Sequence, residues 1–221
     1  GEIDAVYLAL PNHLHREYAV RAAEAGIHVL CEKPLAVTEA DCEAMIRAAA
    51  AGGVRLMTAY RLRFDPANLS TLELVRRGRI GEPMLFNSTF TLTVRDGDIR
   101  LNPREAGGGT LYDIGVYCID AARRFFAAEP EVVLATATPG RSEARAGVEE
   151  SVSATLRFPR GRLASFVVSF GAARVSSYRL VGTAGDVRLD PAYAYADEIV
   201  QTVTAGGRTR TRRFPKYDQF A

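Results

Sequence analysis

The sequence predicts an α/β fold joined to an α+β fold: a partial Rossmann-like parallel sheet followed by a domain with a large, open, mostly antiparallel sheet. Strand-like and helix-like segments alternate over residues 1–60, and strand-like segments then recur about every ten residues towards the end of the chain. The connections in both parts are short. We therefore expect two domains, at residues 1–60 and 61–221.

The first sixty residues predict the order strand, helix, strand, helix, strand. Residues 3–10 are a near-continuous apolar run, which is typical of a strand buried on both faces of a parallel sheet. Thr38 is a predicted N-cap, with Asp41 three residues later. The remaining predicted elements are helices at residues 15–25 and 40–51 and strands at 27–31 and 54–59. Connections this short specify right-handed βαβ units.

From about residue 60 the pattern changes to that of a second domain. A helix is predicted at residues 66–77, an alternating strand at 83–94, and a strongly amphipathic helix at 110–126 after three glycines. The later predicted strands are residues 132–138, 151–158, 163–170, 177–182, 186–189, 198–204 and 209–214. Tight turns at residues 159–161 and 205–207 make antiparallel neighbours the expected arrangement.

Charge and hydropathy exclude several classes of partner. Twenty-eight basic and 26 acidic residues leave a net charge of +2, which gives no electrostatic reason to expect nucleic acid or an anionic membrane. The longest apolar stretches, such as residues 5–11 and 164–170, are far shorter than a membrane-spanning helix. Neither kind of partner is expected.

The cysteines indicate a reducing compartment. Cys31, Cys42 and Cys118 are odd in number and widely spaced, so they predict neither a disulfide framework nor a zinc site. His13 and His15 with Cys31 do not suggest a metal either, because two histidines at i and i+2 diverge on a helix. We expect a cytoplasmic protein; the sequence leaves open an export signal upstream of residue 1, which is not methionine.

Three segments, taken in order, resemble the Gfo/Idh/MocA oxidoreductase family. They are Cys-Glu-Lys-Pro at residues 31–34, Ala-Tyr-Arg at 59–61 with Pro-Ala-Asn at 66–68, and the run 107–117. Many relatives have histidine at the position of Tyr117, and tyrosine there points to the branch of glucose-fructose oxidoreductases and anhydrofructose reductases. The resemblance covers essentially the whole chain.

The resemblance implies a nicotinamide-dependent oxidoreductase, using NADP or NAD, that transfers a hydride to or from a sugar, polyol or related carbonyl compound. Its catalytic residues would be Lys33, Asp113 and Tyr117, with Tyr117 as acid/base. A nearby ammonium such as that of Lys33 favours the phenolate form of a tyrosine, and Asp113 would orient the site. The alternatives are a packed core tyrosine, a solvated loop lysine, and an aspartate that is a local cap or a salt-bridge partner near the helix start.

The coenzyme is expected at the carboxyl ends of the first strands, where doubly wound folds bind ligands. The resemblance also implies a cis peptide bond before Pro34, which would direct Lys33 into the cleft. Asn12 could instead be an N-cap. The expected coenzyme-binding residues are Pro11, Asn12, His15, Glu32, Lys33, Pro34 and Arg61.

Two features depart from the family pattern. No G-x-G-x-x-G segment precedes residue 3, and residues 220–221 fall short of the usual C-terminal helices, so we expect a chain truncated at both ends. Such a form would keep the catalytic side chains, bind the coenzyme weakly and be inactive by itself. Ile99 replaces an aromatic residue, which leaves the substrate open. The competing hypothesis is a non-catalytic sugar-binding or dimerisation module that lacks its nucleotide-binding half.

The second domain is expected to bind the substrate and to dimerise. A broad uncovered sheet face usually has a partner, and a homodimer through the sheet is the expected assembly. The basic run at residues 208–213 could contact phosphates. Its alternation of arginine and threonine favours a solvated strand that discourages unwanted pairing.

Overall fold

The structure is a computed structural model that describes residues 3–141, 147–195, 197–216 and 218. Residues 220–221, on which the expectation of a shortened C-terminus rested, lie outside that set. The described residues form a three-stranded parallel sheet and an eight-stranded, mostly antiparallel sheet. The predicted fold class is confirmed, and the domain division at residue 60 stays a prediction.

The first sheet has the order β1-β2-β3, with two helices on one face. Its elements are β1 Ala5–Leu8, α1 His15–Glu24, β2 His28–Cys31, α2 Glu39–Ala51 and β3 Leu56–Thr58. Thr38 caps α2 as predicted, because its hydroxyl accepts a hydrogen bond from the Asp41 backbone N–H. The core of this sheet lies between strands and helices, with Val29 and Met45 at its centre.

The expectation of a strand buried on both faces at residues 3–10 is wrong for this chain. The strand is shorter, and Ala5 and Tyr7 are exposed. Tyr7, Leu30 and Met57 are neighbours across the three strands and are all exposed. Both helices pack on the opposite face, and nothing among the described residues covers this one.

The second sheet has the order β11-β10-β9-β8-β4-β7-β6-β5. Its strands are β4 Pro83–Thr93, β5 Val132–Pro139, β6 Glu149–Phe158, β7 Arg162–Ser169, β8 Gly171–Gly182, β9 Gly185–Asp190, β10 Ile199–Ala205 and β11 Arg208–Phe214. Neighbours are antiparallel as predicted, except that β4 and β7 are parallel. The exception arises because β4 is central and precedes the hairpins on either side of it. Its two neighbours, β7 and β8, run in opposite directions, so one of them must be parallel to β4.

Helices α3 Pro66–Arg76 and α4 Val116–Phe126 accompany this sheet. Phe86, Phe125 and Tyr178 pack together in the core on one sheet face. On the other face, side chains such as Leu85 and Val167 are exposed, and no helix among the described residues covers them. The basic run forms the exposed edge strand β11, which confirms the predicted solvated strand.

The predicted helix at residues 110–126 is not uniform. Its first turn, Leu111–Gly115, is a π-helix in which the Val116 N–H donates to the Leu111 carbonyl, and α4 follows. Single π-turns are frequent at functional sites because they redirect side chains and backbone groups. This turn contains Asp113.

Candidate active site

An ion pair joins the loop after β2 to the π-turn before α4. Lys33, two residues beyond β2, extends its ammonium to Asp113 in the π-turn. Its Nζ lies 2.7 Å from Asp113 Oδ1 and 2.6 Å from the Asp113 backbone oxygen. The two side chains are 12% and 20% exposed. A pair of this kind, largely withdrawn from water, holds both groups in one geometry.

A second cation, which the sequence-based site did not include, completes the surroundings of Asp113. The Nε of Arg100 donates to Asp113 Oδ2 at 2.9 Å. Both carboxylate oxygens of Asp113 are therefore engaged, one by each cation. The signal for Arg100 was weak, because a single arginine in a loop has no characteristic spacing.

Tyr117 lies beside this pair and is 6% exposed. Lys33 Nζ is 5.0 Å and Arg61 Cζ 5.2 Å from the centre of its ring, both at cation–π distance. Phe90 and Tyr193 pack against the same ring. Its hydroxyl has no hydrogen-bond partner among the described residues, and the residue lines a cavity. The three predicted catalytic residues thus come together.

Two cavities meet at this point. The larger, of about 700 Å³, extends over the second sheet and is lined by Phe90, Tyr117 and Tyr193. The smaller, of about 300 Å³, lies at the carboxyl ends of β1 and β2. The residues common to both walls are Glu32, Lys33, Arg100 and Asp113. A ligand in each cavity would meet its neighbour beside these four side chains.

Four of the predicted coenzyme residues line the smaller cavity: Pro11, Asn12, Glu32 and Lys33. The Asn12 amide donates to the Gly107 carbonyl at 2.8 Å, so Asn12 links the loop after β1 to the glycine segment before the π-turn rather than capping a helix. Glu32 accepts a hydrogen bond from the Tyr7 hydroxyl at 2.5 Å. Although the Tyr7 side chain is about half exposed, its partial burial, together with the Glu32 carboxylate, raises its pKa to about 12.

His15 and Pro34 lie behind that cavity instead of in its wall. His15 is fully buried, with its ring nitrogens 3.0 Å from the Pro34 carbonyl oxygen and 2.9 Å from that of Leu10. It therefore holds together the two loops that follow β1 and β2. The Lys33–Pro34 peptide bond is cis, as the resemblance implied.

Arg61 lines the larger cavity and is absent from the wall of the smaller one. Its Nη2 donates to the Tyr193 carbonyl at 2.8 Å. Its guanidinium also lies 5.2 Å from the ring centres of both Tyr117 and Tyr195. Arg61 thus connects Tyr117 to the segment between β9 and β10.

Tyr193 is a further site residue that sequence reasoning missed. It is fully buried, its ring stacks on Phe90 at 5.0 Å, and its hydroxyl lies 2.6 Å from Ser88 Oγ. The alternation of tyrosine and alanine at residues 192–195 could have indicated it, since two aromatic residues in a loop suggest a ligand wall.

No group of three or more His, Cys, Asp or Glu side chains in the described part of the chain has an arrangement that could hold a metal ion. No helix in residues 3–141, 147–195 or 197–216 is long and apolar enough to cross a bilayer.

Comparison with known proteins identifies the class of protein. Residues 1–60 match the family model described as an oxidoreductase family with an NAD-binding Rossmann fold. Residues 69–188, more than half of the chain, match the GFO/IDH/MocA C-terminal domain. The chain belongs to the GFO/IDH/MocA oxidoreductase family, which confirms the resemblance.

Similar proteins include an uncharacterised oxidoreductase of Rhizobium meliloti, 39% identical over 99% of this chain and 67% of that protein. A D-xylose 1-dehydrogenase (NADP(+)) of Haloferax volcanii is 34% identical over 99% of this chain and 66% of its own length. The crystal structure of aldose-aldose oxidoreductase from Caulobacter crescentus, complexed with glycerol, superposes with a TM-score of 0.92 at 40% identity, covering 99% of this chain and 66% of that one. The chain thus spans about two thirds of the length of these relatives.

Proposed function

We propose that the protein catalyses nicotinamide-dependent oxidation or reduction of a sugar, polyol or related carbonyl compound, with NADP or NAD as coenzyme. The observation that carries the proposal is the Lys33–Asp113 pair at the junction of two cavities, with Tyr117 beside it. Hydride transfer needs two ligands that meet at one acid/base group, and this junction meets that need.

The smaller cavity suits the nicotinamide end of the coenzyme. Its volume of about 300 Å³ is at the lower end of the range for small-molecule pockets. Part of its wall is glycine backbone, and a Cβ on Gly107 would lie 2.6 Å from the Asn12 Cβ, so a larger residue would disturb the wall. Pro11, Asn12, Glu32 and Lys33 would hold the group.

When bound, the nicotinamide ring supplies a C4 carbon that gives or accepts a hydride. In oxidation the substrate C–H bond breaks with its electron pair, and the Tyr117 oxygen takes the proton of the substrate hydroxyl as the carbonyl forms. In reduction Tyr117 returns that proton. Lys33 hydrogen-bonds the reacting oxygen, while Asp113 fixes the direction of Lys33.

The remaining coenzyme assignments divide into two kinds. We assign His15 and Pro34 a supporting role, since they join the loops behind the smaller cavity. We assign Arg61 to the substrate side, next to Tyr117 and Tyr195. The relatives support the reaction class. One is named an NADP-dependent xylose dehydrogenase. Another, a 3-ketoreductase from Actinomadura kijaniata, was crystallised with NADP; it is 30% identical to this chain and superposes on it with a TM-score of 0.88.

We also propose that two copies associate through the open face of the eight-stranded sheet. This face carries exposed Leu85, Leu163, Val167 and Val175 among small hydroxyl residues. A self-complementary patch of this kind suits a two-fold dimer. A cytoplasmic location is proposed on the three free cysteines, two of them buried.

The test is a panel of aldoses, polyols and keto sugars, assayed with the full-length protein and both NADPH and NADH by nicotinamide absorbance. Lys33→Met and Tyr117→Phe are expected to lower kcat by about 100-fold or more. Tyr18→Phe, on the exposed surface of α1, is the matched control and should keep full activity.

Near-normal turnover in both site variants would show that the assigned roles are wrong. If no sugar supports hydride transfer, yet sugars bind without coenzyme, the non-catalytic sugar-binding module replaces this proposal.

A further inference from the structure

Arg100 has an unusual position, because it lines both cavities. It lies in a short 3₁₀ turn, Ile99–Leu101, and shares the junction with Glu32, Lys33 and Asp113. Its side chain is 46% exposed, so it is accessible to a ligand in either cavity. In the proposed mechanism Arg100 has no role beyond its ion pair with Asp113.

Two carboxylates fix the Arg100 guanidinium. Nε donates to Asp113 Oδ2 at 2.9 Å, and Nη1 lies 3.2 and 3.1 Å from Oδ1 and Oδ2 of Asp98. Asp98 also accepts from the Arg100 backbone N–H at 2.9 Å, which anchors the turn itself. Burial opposes the charge, but Asp113 and Asp98 outweigh it and raise the pKa of Arg100, so it stays charged.

The fixed guanidinium has donors to spare. An arginine has five N–H groups. The Nε hydrogen is engaged by Asp113, and Nη1 faces the two oxygens of Asp98. Nη2 has no hydrogen-bond partner among the residues that the structure describes. A rigid cation with two unused N–H groups at the junction is preorganised to bind an oxygen atom.

We propose that Arg100 is a substrate-binding residue whose Nη2 donates a hydrogen bond to a sugar oxygen next to the reacting carbon. This inference rests on the proposed function. Lys33 and Arg100 bond opposite oxygens of the same Asp113 carboxylate, so the two cations flank one small group. In the proposed arrangement Lys33 holds the reacting oxygen, and Arg100 holds the oxygen on a neighbouring sugar carbon.

The experiment combines a variant with altered substrates. Arg100→Gln and Arg100→Lys are assayed in the full-length protein with D-glucose and each of its monodeoxy analogues. For the parent sugar, Arg100→Gln should lower kcat/KM about 10- to 100-fold, as expected for loss of a charged hydrogen bond. For the analogue that lacks the contacted oxygen, the wild type should lose a similar factor and Arg100→Gln should cost little more. Arg100→Lys should not restore the wild-type value, because lysine lacks the fork.

Arg123→Gln is the matched control. Arg123 also bonds a carboxylate, that of Glu129, through Nε, and its side chain is 44% exposed, but it lies outside both cavities. It should behave as wild type with every sugar. The same loss on every analogue in Arg100→Gln would mean that Arg100 acts only through Asp113, and wild-type kinetics would mean that it does not act at all; either result overturns the proposal.

Failure of the proposed function has a different signature. In that case the wild type transfers no hydride to any sugar with either coenzyme. Binding of D-glucose and its analogues is then measured by saturation-transfer NMR for wild type and Arg100→Gln. A loss of affinity in the variant that occurs with the parent sugar and is absent for one analogue supports the Arg100 contact, and equal affinities contradict it.

Discussion

Lys33 donates to Asp113 twice, once to the carboxylate and once to the backbone oxygen of the same residue. The second bond is accepted by a backbone carbonyl of the π-turn that carries Asp113. One ammonium therefore fixes both the side chain and the backbone of its partner. The same contacts join the loop after β2 to the π-turn and position the two charged side chains of the site.

Asp113→Asn removes the charge of the Asp113 side chain and keeps its shape, so the variant tests the role of the charge. The amide keeps the volume but leaves Lys33 and Arg100 without their shared counter-charge, so both should change position. We expect kcat/KM to fall about 100-fold or more, because an uncompensated charge also disturbs the acid/base group. Steady-state kinetics with the best sugar of the panel is the measurement.

Glu129→Gln is the control, since it removes one carboxylate from an arginine pair on the surface. If Asp113→Asn keeps wild-type kcat and KM, the carboxylate has no part in positioning Lys33.

The sequence was sufficient for much of the fold. Apolar runs, caps and short connections predicted both sheets, and Thr38 caps α2 as expected. The exposed face of β1 was predicted wrongly, because a continuous apolar run gives the hydropathy of a strand but not what covers it. The parallel pairing of β4 with β7 was also missed, since strand order depends on contacts between distant segments.

The sequence predicted the site residues that belong to family motifs and missed those that do not. Lys33, Asp113 and Tyr117 were identified through the family resemblance, and the structure brings them together. Arg100 has no characteristic spacing, and the alternation of tyrosine and alanine around Tyr193 suggests a ligand wall without saying what it faces. The three-dimensional arrangement reveals that both residues meet the motif residues.

Tyr193→Phe tests whether the packing around Tyr117 depends on a buried hydroxyl. The variant loses the bond to Ser88 but keeps the ring that stacks on Phe90 and Tyr117. We expect the free energy of unfolding to fall by about 1 kcal/mol, with activity near that of the wild type.

Tyr193→Ala should cost about 3–5 kcal/mol, because it leaves a cavity, and should also lower kcat by loosening the ring of Tyr117. Denaturant unfolding and kinetics on both variants provide the measurement. Equal stability of the two variants would contradict a packing role for this ring.

The three thiols should differ in reactivity at pH 8. Burial, with a contribution from Glu32, raises the pKa of Cys31 to about 12, and burial raises the pKa of Cys118 to about 11 although Ser88 opposes it. Since the thiolate is the reactive form, both should resist labelling in the folded protein. Cys42 is less buried and should react first with a disulfide reagent.

Mass spectrometry of the labelled peptides identifies the site, and protein unfolded in urea, in which all three thiols should react, is the control. Labelling of Cys31 or Cys118 before Cys42 would show that the folded protein opens at β2 or α4.

Val167→Arg tests the proposed dimer. Val167 is on β7, in the open face of the sheet, and is 43% exposed. A dimer through this face would bury the side chain against a second copy, and an arginine from each copy would then place like charges in a dry interface. In a monomer the same arginine would remain in water and cost little. The wild type should therefore elute as a dimer in size-exclusion chromatography with light scattering, and Val167→Arg as a monomer with an unchanged circular dichroism spectrum.

Ile46→Arg is the matched control, because Ile46 is 56% exposed on α2, away from this face, and it should stay dimeric. A Val167→Arg protein that keeps the wild-type mass would mean that the copies associate through another surface.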